Sequence, residues 1–352
     1  MAYAPTGKVN AVCDKGVFKI AAVGLDHGHI VGMCNGLVEA GGDLVAVYDP
    51  DPEKVAAFRK TYPWVRVAAS EAEVLSDPSV HLIASAAIPS ERGPLGLRAM
   101  DHGKDYFSDK PPVTSLAQLR DVREKVAETG RKLAVYYSER VHVEAAVYAD
   151  RLIAEGAIGR VIHVAGFGPH RLNAATRPPW FWNRRKSGGI LCDLGCHQIE
   201  QFLHWTGAES ATLLHSRVAS HAGGGGDHPG FEDLGEAAFV ADTGATHYMM
   251  VNWHTPKGLG AWGDGRAFIT GTEGSIELRK YLDVGRDPEG DHVYLVDRDG
   301  ERHLAVHGKV GFPFFGQLIL DCLNRTEKAM TQRHAFRAIE LALLAQERVV
   351  TD

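Results

Sequence analysis

The sequence predicts an α/β protein of two domains, residues 1–140 on a doubly wound parallel sheet and residues 141–352 around an antiparallel sheet. Three observations predict it. A length of 352 residues suits two domains better than one. Apolar runs alternate with helical patterns over the first 140 residues, joined by short links. Past Arg140 the pattern changes to consecutive hairpins.

Residues 18–23 (FKIAAV) form an unbroken apolar run, as in a strand buried on both faces, and Gly24 breaks it. A helical pattern covers 28–40, a second strand 44–48 ends at Asp49 and Pro50, and a short helix covers 52–60. Residues 65–69 read as a third strand, 82–88 as a fourth and 93–102 as a helix. Tyr106 and Phe107 lead into Asp109, Lys110, Pro111 and Pro112. Ser115 is a good N-cap, with Gln118 three residues on, for a helix ending near Gly130. Residues 132–137 form another strand.

In the second half, a helix over 143–155 stops at Gly156. Three turn signals then separate paired apolar runs: Asp242-Thr243-Gly244, Thr272-Glu273-Gly274 and Asp299-Gly300. Helices over 314–323 and 335–349 close the chain, the last with an apolar stripe of Phe336, Ile339 and Leu343. Gly223 to Gly226, followed by Asp227, His228, Pro229 and Gly230, reads equally as a mobile lid or a linker.

Composition narrows the function classes. Hydrophobic residues make up 45% and charged residues 23%, ordinary for a globular protein. A net charge of −6, with 38 basic and 44 acidic side chains, lacks the basic stripe of a nucleic-acid binder. Arg184, Arg185 and Lys186 form the one dense basic run, a solvated loop or an anion contact. Five scattered cysteines without a C-x-x-C pair argue for reduced thiols. Cys192 and Cys196, four apart, read as packing thiols more readily than zinc ligands. The first residues lack a leader-like apolar core, and no run has the length of a membrane span. The expected location is the cytoplasm. Among 18 histidines none forms H-E-x-x-H, so no catalytic metal is expected.

A strand, a glycine turn and a helix together hold a dinucleotide, because the helix start offers N–H groups and a positive dipole end to the pyrophosphate. Here the turn reads Gly24-Leu25-Asp26-His27-Gly28-His29. Of the usual three glycines only Gly24 is in register, and Asp26 brings negative charge toward a phosphate. Gly28 still allows close backbone approach. His27 and His29 read either as donors near the pyrophosphate or as plain helix-start residues. Gly28, Gly32 and Gly36 form a flat helix face expected to lie close on the sheet. Asp49, 25 residues after Gly24, is placed to accept both ribose hydroxyls and to repel the extra phosphate of NADP, so NAD is expected. The plainer reading of Asp49 is a turn former before Pro50.

At Asp109-Lys110-Pro111 the chain resembles the Gfo/Idh/MocA oxidoreductase family, whose Glu-Lys-Pro motif follows the fifth strand of its nucleotide domain. The stretch SGGILCDLGCHQIE, residues 187–200, resembles the family's G-G-x-x-x-D-x-G-x-H segment, with Asp193 and His197 at its catalytic pair. Glu200 stands where the family often has aspartate. The runs at 155–161 and 271–275 resemble its domain-crossing turn and one of its sheet hairpins. The resemblance implies an N-terminal Rossmann domain and a C-terminal α/β domain with a large, open antiparallel sheet. It implies sugar or polyol substrates, and homodimers or homotetramers formed through that sheet.

Oxidising a secondary alcohol needs a carbinol carbon facing the nicotinamide, a base, and stabilisation of the developing oxyanion. Lys110, past the carboxyl end of a parallel strand, is expected to bind the substrate oxygen, with partial burial easing proton transfer. It also counts as a cofactor contact, with Gly24, Asp26, His27, Gly28, His29 and Asp49. His197 titrates near neutrality and is expected to share the proton work, while Asp193 orients it or binds a hydroxyl. A surface ion pair is the plainer reading of Asp193 and His197. Arg140, His170, Trp182 and His197 are the expected substrate contacts, with Arg171, Trp180 and His254 as further polar or aromatic candidates. Two rivals stay open: a redox-assisted glycosidase or lyase with tightly held NAD, and a non-enzymatic dinucleotide-binding regulator.

Overall fold

The apolar runs become the parallel strands they predict. The computed structural model describes residues 10–221 and 228–351. Gly223 to Gly226 and most of the segment read as leader-free lie outside the described residues. The chain divides into two compact units, one of the described residues up to Tyr136 with Phe312–Phe336, the other of Tyr137–Gly311 with the described residues from Arg337 onward.

In the first unit β1 (Lys19–Val23), α1 (His29–Glu39), β2 (Asp43–Tyr48), α2 (Pro52–Thr61), β3 (Arg66–Val67) and α3 (Glu71–Ser76) come first. Then come β4 (Leu82–Ser85), α4 (Pro89–Asp101), β5 (Asp105–Asp109), α5 (Leu116–Thr129) and β6 (Leu133–Tyr136). The six strands are parallel in the order β3-β2-β1-β4-β5-β6. The order reverses between β1 and β4, and such sheets bind ligands outside the carboxyl ends of the strands at that point. Ser115 caps α5 by accepting the Gln118 N–H at 3.2 Å, and Gly130 closes it in the left-handed region at φ 64°.

In the second unit α6 (Ser138–Val141), α7 (Glu144–Ala154), β7 (Val161–Pro169) and α8 (Arg184–Ser187) precede a π-helical turn, Leu191–Gly195, that runs into α9 (Cys196–Thr206). Next are β8 (Ala211–Ala219), β9 (Leu234–Ala241), β10 (Thr246–Asn252), β11 (Arg266–Gly271), β12 (Ser275–Arg279), β13 (His292–Asp297) and β14 (Gly300–Ala305). The chain then forms α10 (Pro313–Asn324), α11 (Gln332–Glu347) and β15 (Val350–Thr351). The sheet has nine strands, β14-β13-β12-β11-β7-β10-β9-β8-β15. Two pairs, β7–β10 and β8–β15, are parallel and the rest antiparallel. Burial alternates along the strands, and one face packs under α9, whose first eight residues are all buried. On the other face Tyr248 and Phe268 flank Phe167, with ring centroids 6.4 and 6.1 Å from it.

Three details differ from the sequence reading. The helix expected from residue 93 starts at Pro89, because proline is preorganised for the first helical turn. Helix α3 was not anticipated: only Val74 and Leu75 of its six residues are buried, too few to set a period. The glycine face of α1 does not serve the sheet as a whole. A Cβ on Gly36 would run into the ring of Phe315 in α10, and one on Gly28 would meet nothing within 4 Å. Gly36 therefore admits an aromatic side chain from the segment Phe312–Phe336, which a single boundary near residue 140 leaves out of the first unit.

Candidate active site

Gly24 ends β1 at φ 76°, a conformation that favours glycine, and a Cβ there would lie 2.7 Å from that of Ala87. Helix α1 then opens with Gly28 as N-cap, with no side-chain cap and no acidic residue in its first turn. With open space at Gly28, the positive helix end is left available to an anion.

Asp26 does not burden that position with free charge. Its carboxylate accepts from Lys54 Nζ at 2.6 Å and from the Ile88 N–H at 3.2 Å. Asp49 is buried, and its oxygens accept the Leu25 N–H at 2.6 Å and the Asp51 N–H at 2.9 Å. A carboxylate has about four lone-pair sites, so each oxygen retains capacity for a hydroxyl. Lys54 Nζ lies 3.8 Å from Asp49.

His27 and His29 each bring one ring nitrogen to Asp109. Their Nδ1 atoms lie 3.2 and 2.8 Å from the two oxygens of Asp109. The cause is a buried cation on the same carboxylate: Arg92, fully enclosed, reaches Asp109 with one NH2 nitrogen at 2.9 Å. Its other groups donate to the carbonyls of Ala87, Lys110 and Pro111. Burial works to raise the Asp109 carboxyl, but the charges of His29 and Arg92 and the two histidine hydrogen bonds hold it well below the usual range. His27 is pushed down to about 4 by burial and by His29, against the pull of Asp109. The Lys110 N–H also donates to Asp109, at 2.8 Å. Lys110 is buried past the end of β5, and its peptide bond to Pro111 is cis. The DKP motif thus does two jobs: its aspartate binds the glycine turn to the backbone that presents its lysine.

The second unit carries the other expected residues. Arg140 is buried, with its guanidinium on Glu200 at 2.6–3.0 Å and on Asp150 at 3.2 Å. Despite burial, those two carboxylates hold it above its usual range. Its Nε, NH1 and NH2 nitrogens thus each donate to a carboxylate of α7 or α9. Beside it, buried Glu139 pairs with Lys280 at 2.7 Å. Asp193 lies in the π-helical turn and His197 is buried in the first turn of α9. Trp182 and Asp193 line one cavity with Phe181, Phe231, Glu232 and Trp253. Trp182 also stacks on His228, with centroids 3.9 Å apart. The His170 ring lies 4.4 Å from that of Trp262 and 5.6 Å from that of Trp253.

Arg177, not singled out in the sequence, lies over Phe181 and Trp253 at 4.5 and 4.8 Å. Burial lowers its pKa against the opposing charge of Asp193. Arg92, Glu139 and Lys280 were also missed: each has a charged neighbour in the sequence, Glu91, Arg140 and Arg279, and reads as an ordinary polar position. Arg184 to Lys186 are exposed, and Arg184 reaches Glu232 at 3.2 Å. Two described clusters have metal-ligand proximity, His27–His29–Asp109 and Glu144–Asp291–His307, and neither includes a cysteine. Arg92 and the Lys110 N–H occupy the first carboxylate, and the N–H groups of Gly308, Val310 and Gly311 occupy Glu144. Among the described residues no helix is long and apolar enough to cross a membrane.

Comparison with known proteins matches both units. Residues 18–137 match the oxidoreductase family with an NAD-binding Rossmann fold, and residues 147–277 match the GFO/IDH/MocA C-terminal domain. The chain is 29% identical over 244 residues to scyllo-inositol 2-dehydrogenase (NAD(+)) of Bacillus subtilis, covering 67% of this chain and 66% of that protein. It is 30% identical over 129 residues to D-xylose dehydrogenase of Paenarthrobacter nicotinovorans, covering 35% and 33%. The chain therefore spans less than two thirds of either relative's length. A crystal structure of a proposed oxidoreductase from Erwinia carotovora atroseptica is 48% identical, with a TM-score of 0.91, covering 95% of this chain and 99% of that one. Myo-inositol 2-dehydrogenase from Lactobacillus plantarum, at 17% identity and a TM-score of 0.73 over 94% of this chain and 96% of its own, shares the fold. With one family model on each unit, the chain belongs to the Gfo/Idh/MocA oxidoreductase family and carries an NAD-binding Rossmann unit at its amino end.

Proposed function

We propose that the protein is an NAD-dependent dehydrogenase that transfers a hydride between nicotinamide and a secondary alcohol of a sugar, polyol or related derivative. The observation that carries this reading is Lys110: a buried lysine at the carboxyl end of β5, its backbone held by Arg92 and Asp109, in a dinucleotide-binding sheet. The uncapped start of α1 and the open space at Gly28 fit a pyrophosphate, and Asp49 fits the adenosine ribose. Bound there, NAD supplies the hydride acceptor. The Lys110 ammonium hydrogen-bonds the substrate oxygen and stabilises its developing charge. His197 takes or returns the hydroxyl proton, and Asp193 orients it or binds a neighbouring hydroxyl. His170 and Trp182 contact the substrate. The relatives named for inositol and xylose support a polyhydroxylated substrate.

The departures in the glycine turn are accounted for by Lys54 on Asp26 and by Asp109 on the two histidines, so they favour neither rival reading. The apolar sheet face with Phe167, Tyr248 and Phe268 supports a homodimer or homotetramer. The cytoplasm is the proposed location.

The experiment is a screen of inositols and aldoses with NAD, read as NADH absorbance, followed by Lys110→Met. The variant is expected to lose roughly 10²–10⁴-fold or more in kcat with NAD affinity nearly unchanged. Turnover at the wild-type rate would overturn the assignment.

A further inference from the structure

The second unit buries an ion pair that the proposed chemistry does not use. The side chains of Lys280 and Glu139 are 0% and 2% exposed. Buried pairs are costly, and apolar replacements are often as stable, so the pair is weak evidence of a stabilising role. The surroundings of Glu139 are lopsided. Oε2 accepts from Lys280 Nζ at 2.7 Å and from Gln198 Nε2 at 2.8 Å. Oε1 is buried, has no hydrogen-bond partner among the described residues, and lies 3.9 Å from His170 Nε2.

Two contacts of His170 bear on its protons. Nδ1 lies 3.0 Å from the Gly168 carbonyl oxygen, which only accepts, so Nδ1 carries a proton. A neutral ring would then aim the Nε2 lone pair at a buried carboxylate oxygen. A second proton converts that repulsion into attraction.

We propose that Glu139 is a positioning residue for His170: its carboxylate, anchored on one oxygen by Lys280 and Gln198, turns the other to the ring and holds it protonated on both nitrogens. The arrangement is built from several elements. A Cβ on Gly168 of β7 would come within 3.1 Å of Gln198 Nε2, so glycine there leaves room for the side chain that steadies Glu139. Lys280 also donates to Gln201 at 2.7 Å, and Gln201 donates to the His197 carbonyl at 2.8 Å, which ties the same pair to α9. Despite burial, Lys280 first, then His197 and His170, keep Glu139 well below the usual carboxylate range. From α6, Glu139 lies within ion-pair reach of His170; Lys280 and His197 act on that same carboxylate. Trp253 and Trp262 face the ring with aromatic surface. Neighbouring Arg171 sends its guanidinium to the carbonyls of Pro256, Leu259 and Ala261. The His170 side chain is 13% exposed, open enough to exchange a proton. The result is a fixed positive charge against the tryptophan wall, suited to an oxygen-rich or anionic substrate edge. That last consequence alone rests on the proposed function.

The test is an NMR titration of the histidine-labelled full-length protein without substrate, with the His170 signal assigned by its loss in His170→Asn. In Glu139→Gln the His170 midpoint is expected to fall by about one pH unit or more, the usual effect of removing an opposite charge at this range. Should that variant fail to fold, Glu139→Gln with Lys280→Met removes both charges, and the midpoint is expected to fall by less. An unchanged midpoint in a folded variant overturns the proposal. Because no substrate is present, the titration is decided separately from the Lys110→Met assay.

Discussion

Replacing Asp109 with asparagine keeps the shape of the DKP aspartate and removes its charge. Three donors within 3 Å lose an anion: the Lys110 N–H and His29 Nδ1 at 2.8 Å, and Arg92 at 2.9 Å. His27, at 3.2 Å, loses its ionic partner. Arg92 has no exposed side-chain surface, so its cation is left without a compensating charge, a change that costs about 3–5 kcal/mol. The asparagine amide adds to this, because one end of it must face a donor. Against a typical stability of about 5–15 kcal/mol, the variant is expected to fold with a much reduced margin. For a unit of this size a loss of about 4 kcal/mol corresponds to a fall of roughly 8–16 °C in Tm. Circular dichroism melts and urea titrations of both proteins measure it. Because the lost bonds join the glycine turn to the Lys110 backbone, NAD affinity and kcat should both fall. A variant within about 1 kcal/mol of wild type would refute the reasoning, since that is the scale of one ordinary hydrogen bond.

Further expectations concern stability, cofactor choice and substrate. Burial pushes His247, stacked on Phe202, down to about 4, so between about 4 and 6.5 the unfolded chain binds a proton that the folded one excludes. The corresponding stability is fully present above 6.5 and is lost toward pH 4, by about 3 kcal/mol, and urea titrations of His247→Phe should show a shallower acid dependence. In Asp49→Asn the repulsion of a ribose phosphate is removed while Lys54 remains 3.8 Å away, so the NADP-to-NAD ratio of kcat/KM should rise by about tenfold or more. Trp182→Ala removes a wall of the Asp193 cavity and should raise KM for the polyol by roughly tenfold with NAD affinity unchanged; an unaltered KM would remove Trp182 from the substrate site.

Local chemistry was legible in the sequence, and distant pairing was not. The strand at Lys19–Val23, the Ser115 cap and the left-handed Gly130 each declare themselves within a few residues. So do the three hairpins, whose turns force the next strand back beside the last. Strand β7 has no such turn: its neighbours β10 and β11 lie far along the chain, and its parallel pairing with β10 leaves no local mark. The packing of Phe315 against Gly36 is likewise invisible, because each residue alone reads as an ordinary helix position.

The candidate site divides along the same line. Lys110, Asp193 and His197 could be singled out because their segments resemble the family's motifs. Their supports were not, because a buried charge is defined by its partner. Arg92 lies just before the helix expected over 93–102 and reads as a surface residue until Asp109 is placed beside it. Glu139 reads as the neighbour of Arg140 until Lys280, 141 positions on, meets its carboxylate. The two histidines of the turn follow the same logic. At the start of a helix, His27 and His29 look available to a phosphate, yet an anion enclosed with Arg92 attracts both rings first. The turn therefore does not need the missing glycines to be rigid: Asp109 holds it from below, and the start of α1 stays open above Gly28. In this chain the altered glycine turn and the aspartate of the DKP motif meet in one set of contacts, two rings from the turn on one carboxylate.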